Sequence, residues 1–209
     1  MTALVKYPFT KNNESVIADI LSENKVLAFP TETVYGLGGN AFSKEVADRI
    51  YLIKQRSRNK PFPLLITVEW LKKLCLWNDS RIDDLIEAFW PGPLTLILKS
   101  NPDLTKHLNN NSGTLAVRYS SSTAVQRLIE LGECPIIGTS ANRSGLPACT
   151  SADEVAIQLK DDVDIVIDGC KRSENLASTI VHCLTEPFKI LRQGSISLKE
   201  LNHICKVQK

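Results

Sequence analysis

Four cations fall within seven residues at Lys54, Arg56, Arg58 and Lys60, with no acid among them. A solvated loop tolerates such a run. Guanidinium forks beside an ammonium are also what paired phosphate oxygens require. Two details favour the phosphate reading: the run follows an amphipathic stretch and leads straight into apolar PLLIT, so its backbone is pinned at both ends. Upstream, Thr31, Glu32 and Thr33 set hydrogen-bonding side chains at the end of an apolar run, ahead of Gly36, Gly38 and Gly39. Glycines there either form a turn or let the backbone approach a ligand closely. A third polar run, Thr139, Ser140, Asn142 and Ser144, follows PIIG. Such residues either cap local turns or donate to a ligand. No GxSxG elbow and no suitably spaced histidine or acid accompanies Ser140, which reads as a hydrogen-bond donor and not a nucleophile. Arg118 and Arg192 each end an apolar run, and Ser178 with Thr179 opens another. Two arginines at strand ends add to one electropositive rim.

Other chemistries lack their residues. Neither GxGxxG nor the Walker pattern occurs. The six cysteines, Cys75, Cys134, Cys149, Cys170, Cys183 and Cys205, form no CxxC or CxxH pair, so structural zinc is not expected. His107, His182 and His203 are scattered, and none is assigned to catalysis. With 209 residues the chain is expected to fold as a single domain, 1–209, burying roughly 70% of its unfolded surface without disulfide staples. Reduced thiols and a cytoplasmic location follow as expectations. The first residues contain no apolar signal-like core, and no stretch approaches the length of a membrane span. A net charge of +2 is too balanced to identify a nucleic-acid binder.

These residues need elements to hold them. Apolar residues at helical spacing predict helices over 14–23, 43–54, 80–89, 122–131 and 151–159, with a short one after Ser197. The caps are assigned to Asn13, Ser43, Ser80, Ser122, Ser151 and Ser197. Short apolar runs predict strands at 26–29, 63–67, 94–98, 114–118, 135–139, 164–168, 178–183 and 188–192. Several strands follow one another with only loops between them. That order predicts an α/β (α+β) domain, a twisted mixed sheet with flanking helices, over a regular βαβ alternation.

The runs PTETVYGLG (Pro30–Gly38), KQR (Lys54–Arg56), WPGPLTLIL (Trp90–Leu98), LAVR (Leu115–Arg118), TSANRSG (Thr139–Gly145), ST (Ser178–Thr179) and LRQG (Leu191–Gly194) together resemble the YrdC-like threonylcarbamoyl-AMP synthases, in the family's order. The resemblance is to the short, single-domain form. It implies a basic concave face and synthesis of threonylcarbamoyl-AMP and pyrophosphate from ATP, L-threonine and bicarbonate, with Mg2+. That product would supply the transfer machinery for N6-threonylcarbamoyladenosine at position 37 of tRNA. The alternative is a paralogue that binds tRNA or double-stranded RNA with altered or absent adenylation chemistry. By motif, the resemblance assigns Lys54, Arg56, Ser140 and Asn142 as catalytic. It places ATP on Lys54, Arg58, Thr114, Ser140 and Arg192, and threonine on Thr31, Arg118 and Ser178. No protein metal site is implied. The chain departs from the family pattern at Ser57, Ala148, Ala177 and Gln193.

Overall fold

A computed structural model describes residues 2–103, 106–109, 111–169 and 176–209. In chain order the first elements are β1 (Ala3–Lys6), α1 (Lys11–Ser22), β2 (Leu27–Pro30), β3 (Tyr35–Gly38), α2 (Lys44–Lys54) and β4 (Leu64–Leu65). Next come α3 (Val68–Leu74), β5 (Cys75–Leu76), α4 (Ser80–Phe89), β6 (Leu94–Ser100), α5 (Lys106–Asn109), β7 (Thr114–Arg118) and α6 (Thr123–Gly132). The chain continues with β8 (Ile136–Ile137), β9 (Thr139–Ser140), α7 (Ala152–Leu159), β10 (Ile165–Asp168) and β11 (Thr179–His182). It closes with β12 (Phe188–Arg192), α8 (Leu198–Ile204) and β13 (Val207–Gln208).

The fold is mixed α/β, as expected, but the strands divide between two sheets. One has five strands in the order β1-β10-β2-β3-β9; the other has eight, ordered β13-β12-β11-β6-β7-β4-β8 with β5 beside β6. Both mix parallel and antiparallel pairs. The crossover lies at Gly138, which separates β8 in the larger sheet from β9 in the smaller. A Cβ there would stand 2.4 Å from the Leu65 side chain, so only glycine lets the chain pass between the sheets. Gly36 and Gly38 lie in a strand and not in a turn. In β3, a Cβ on Gly38 would lie 1.7 Å from the Ile137 carbonyl oxygen, and one on Gly36 would strike the Phe29 ring at 2.5 Å.

Helix starts follow local hydrogen bonds. Thr10, not Asn13, caps α1 by accepting from Asn13 N, so that helix begins three residues before the expected Glu14. Asp79, not Ser80, caps α4 by accepting from Arg81 N. Ser43 and Ser151 cap α2 and α7 as expected, and Ser197 with Glu200 forms a capping box on α8. Ser122 precedes α6, but its hydroxyl is diverted to Pro30 O at 2.8 Å. Helices α1 and α6 seal one face of the five-stranded sheet, with Ile17, Leu21, Leu128 and Ile129 packed on Leu27, Phe29 and Ile165. Five cysteines, Cys75, Cys134, Cys149, Cys183 and Cys205, are buried and free, while Cys170 lies outside the described residues. Among the described residues no helix is long and apolar enough to cross a membrane.

Candidate active site

A cavity of about 350 Å³ opens where the two sheets meet. This volume lies within the roughly 300–1,000 Å³ typical of small-molecule sites. Its wall takes residues from the turn after β2, from β3, from the loop after α2 and from the sheet switch at Gly138 to Ser140. Strands β6, β7, β11 and β12 complete it. Apolar side chains such as Ile97, Ala116 and Ile180 form the floor, so the polar groups stand out against a low-dielectric surface.

Hydroxyls and one arginine gather at one end. The Thr31 hydroxyl donates to Val34 O at 2.6 Å and lies 2.9 Å from that of Thr33. Thr95 on β6 and Ser178, the residue before its parallel neighbour β11, pair their hydroxyls at 2.9 Å. Arg118 is buried where β7 ends, although it carries a charge. Its Nε donates to Gly92 O at 3.1 Å, so the WPGP loop grips it, and both Nη atoms lie 3.4 Å from Thr33 Oγ1. From behind, Nη2 meets Glu32 Oε1 at 2.8 Å. Glu32 also accepts from Ser121 N at 3.1 Å and from the Ser120 hydroxyl. Burial alone would raise the Glu32 carboxyl, but the Arg118 charge and the Ser120 and Arg118 hydrogen bonds outweigh it and hold the pKa below its ordinary value.

The other end is basic. Arg56, Lys60, Ser140 and Arg192 line it. Arg56 is held by donation to Lys60 O and Pro61 O, both at 3.2 Å, and stacks over Phe62. Arg192 donates through Nε to Ser178 O at 3.0 Å and through Nη2 to Ser178 Oγ at 2.9 Å, which ties the two ends together. Burial, then the nearby Arg118 and Arg56 cations, pulls the Arg192 pKa down. Burial is also the leading cause of the lowered Arg56 pKa. Three guanidiniums thus share one small cavity, and among the described residues its wall carries no carboxylate. Such a place is organised for anions.

Lys54 and Asn142 stand behind this wall. The Lys54 ammonium is 2% exposed and donates to Ser140 O (2.5 Å), Asn142 O (2.9 Å) and Asn142 Oδ1 (2.9 Å). Burial and then Arg56 lower its pKa to about 8, so it remains charged at pH 7. The Asn142 amide donates in turn to Arg143 O and Leu146 O, and its oxygen also accepts from Ser140 Oγ at 2.6 Å. Two carbonyls at the end of α2 are capped by the same loop: Ile53 O accepts from Arg143 Nη1 at 3.2 Å and Lys54 O from Ser144 N at 3.0 Å. Gln55 then turns left-handed, with φ 52°, and sends the chain toward the cavity, where Arg56 enters it.

Of the residues expected from sequence, the cavity gathers Thr31, Arg56, Arg118, Ser140, Ser178 and Arg192. Lys54 and Asn142 contact Ser140 but do not line it. Arg58 points away, ion-paired to Asp48 and lying over Tyr51. Thr114 sits at the start of β7, two residues out from the lining residue Ala116 on the same strand face, and pairs with Ser112 Oγ at 2.9 Å. Thr33, Glu32 and Lys60 belong to the polar and basic runs noted in the sequence but carry no assigned role there, and Thr95 is new to the site. Thr95 had a signal, a lone polar residue inside the apolar run LTLIL.

Residues 19–194 match the Sua5, yciO and yrdC family profile, which is described as Telomere recombination. A curated relative from Pyrococcus abyssi, "Threonylcarbamoyl-AMP synthase", is 36% identical over 190 residues, covering 90% of this chain and 56% of its own. A relative of the same name from Bacillus subtilis is 35% identical, covering 90% and 55%. The chain therefore spans about half the length of these relatives. The crystal structure of P. abyssi Sua5 complexed with L-threonine superposes with a TM-score of 0.91 at 32% identity, covering 99% of this chain and 62% of that one.

Proposed function

The chain belongs to the family of Sua5, YciO and YrdC, and from that premise we propose that residues 1–209, as one domain, make L-threonylcarbamoyladenylate and pyrophosphate from ATP, L-threonine and bicarbonate. The observation that carries this reading is the convergence of three arginines and two hydroxyl pairs on one cavity. An anion-binding surface alone would need the cations but not the enclosed hydroxyls.

Threonine is placed at the Arg118 end, its carboxylate on the guanidinium edge that faces the cavity and its polar groups near Thr31 and Ser178. The triphosphate is placed against Arg56, Arg192 and Ser140. Lys54 and Asn142 serve this end by fixing the loop that carries Ser140 and the helix end that aims Arg56. Arg58 and Thr114 lie at its margin, within reach of the outer parts of the nucleotide.

The chemistry asks little of side chains as acids or bases. Neutral threonine amine adds to CO2 formed by dehydration of bicarbonate, and the N–H proton it sheds balances the one that dehydration consumes, giving water and a carbamate that survives in a pocket with little water. A carbamate oxygen then attacks the α-phosphorus, forming the new P–O bond as the bond to pyrophosphate breaks. The carbamate is already an anion, so no general base is required. Alignment can supply on the order of 7–11 kcal/mol of the barrier, and the guanidiniums offset charge gathering on the phosphates. Among the described residues the cavity wall has no carboxylate and no cluster of three metal-ligating side chains occurs. Magnesium is accordingly assigned to the incoming ATP, held by phosphate oxygens and water.

The product is an activated acyl donor for the tRNA-modifying transfer machinery, which sets the cytoplasm as the working compartment. A tRNA or double-stranded RNA contact on the basic face is a secondary part of the proposal. The test is mass spectrometry for threonylcarbamoyl-AMP after incubation with ATP, threonine and bicarbonate, alongside pyrophosphate release. Release that needs all three supports the synthase. ATP turnover indifferent to threonine, or salt-sensitive RNA affinity with no product, overturns it.

A further inference from the structure

Two anionic substrates must share a cavity with three arginines, and a polyphosphate carries far more charge than an amino-acid carboxylate. Left to charge alone, the polyphosphate would take any guanidinium it could reach, including Arg118. Behind Arg118, outside the cavity, stands Glu32, which pairs with no other cation among the described residues.

We infer that Glu32 is a specificity-determining residue that acts through Arg118, reserving the hydroxyl end of the cavity for an amino-acid carboxylate and excluding polyphosphate from it. The inference rests on the assignment of threonine to that end. Glu32 Oε1 lies 2.8 Å from Arg118 Nη2, while Arg118 Nε is fixed on Gly92 O at 3.1 Å. Together they fix the guanidinium plane and cancel most of its net charge. N–H edge remains for a carboxylate, which needs geometry, but little field remains for a polyanion. Among the described residues Arg56 and Arg192 have no carboxylate partner and donate to carbonyl and hydroxyl oxygens instead, so the two ends of the cavity differ in charge as well as in hydroxyl content. Glu32 is itself held in place by Ser120 and by Ser121 N, and its lowered pKa keeps it anionic at neutral pH. It is thus a positioning and charge-balancing group and not a ligand.

The experiment is calorimetric titration of L-threonine into the whole protein, with and without saturating sodium tripolyphosphate. In the wild type, tripolyphosphate should leave the apparent Kd for threonine within twofold. In Glu32→Gln, which keeps the shape and removes the charge, it should raise that Kd at least tenfold. Ser120→Ala keeps the charge and should behave as wild type, separating charge from packing. Equal immunity in wild type and Glu32→Gln overturns the inference alone. Displacement of threonine from the wild type also overturns it, and that arm decides the matter if Glu32→Gln does not fold. Wild type that binds no threonine at all overturns the threonine assignment, and this inference with it.

Discussion

Lys54→Met removes an ammonium from a site where it faces three carbonyl oxygens and no solvent. The substitution keeps length and apolar stem but leaves Ser140 O, Asn142 O and Asn142 Oδ1 without their donor. Hydrogen bonds from a charged group contribute about 1.5–3 kcal/mol each, so three amount to roughly 4–9 kcal/mol. Against this stands the penalty of burying the charge. A fall in pKa from 10.5 to about 8 corresponds to about 3 kcal/mol at about 1.4 kcal/mol per unit. The net loss is therefore about 1–6 kcal/mol. A central value of about 3 kcal/mol lowers Tm by roughly 6–12 °C in a chain of this size. The pH dependence provides a second signature. The unfolded chain keeps this proton up to about 10.5 and the folded chain only to about 8, so between those values the unfolded state binds more protons. Wild-type stability should thus rise relative to Lys54→Met as pH climbs from 8 toward 10.5. Urea denaturation of both proteins at pH 7 and pH 9.5, with ATP affinity measured beside it, checks both signs. An unchanged midpoint combined with lost ATP affinity refutes the reasoning, because the ammonium would then serve the phosphates and not the loop.

Three further outcomes follow from the same geometry. Arg56→Ala removes a wall cation and should weaken ATP binding at least tenfold by calorimetry, with a stability loss of no more than about 1–2 kcal/mol; undiminished affinity refutes its placement. Gly38→Ala drives a Cβ to 1.7 Å from the Ile137 carbonyl, so denaturation should show a loss above about 4 kcal/mol or no soluble protein, and wild-type stability would contradict the strand pairing. Burial pushes the thiols of Cys75, Cys134 and Cys183 up to about 12, so at pH 8 iodoacetamide followed by peptide mapping should label them only after unfolding. Rapid labelling of native Cys183 would contradict its burial.

Much of this was legible because single residues carried strong local chemistry. Ser43, Ser151 and Ser197 announce helices α2, α7 and α8, and the strands at 114–118 and 188–192 begin and end where their apolar runs do. What stayed hidden depends on distant partners. Gly36 and Gly38 leave a turn or a close approach to a ligand equally open in the sequence; the contacts that exclude a side chain there are the Phe29 ring and the Ile137 carbonyl, which no neighbour in sequence reveals. The division into two sheets hangs on Gly138 against Leu65, a contact across more than seventy residues. At the site, the cations and hydroxyls were visible by type, yet their sides of the wall were not. Lys54 and Arg56 are two residues apart and face opposite fates because Gln55 between them turns left-handed. Glu32 looked like one of three polar neighbours until Arg118, far along the chain, was found against it.

The loop that caps α2 has a consequence for how the protein is born. Residues 140–144 satisfy the Ile53 and Lys54 carbonyls and the Lys54 ammonium, while Ser178 and Arg192 complete the opposite wall. A ribosome that has released only the first hundred residues has therefore made Arg56 with its local holds on Lys60, Pro61 and Phe62, but without the loop that caps the helix before it. The nucleotide end gains Ser140 once this loop has emerged, and it is completed and joined to the other end only when Arg192 reaches Ser178. Chains cut short before that point lack Arg192 and the wall it completes, so on the proposed function a half-made protein offers a nucleotide only part of its binding surface.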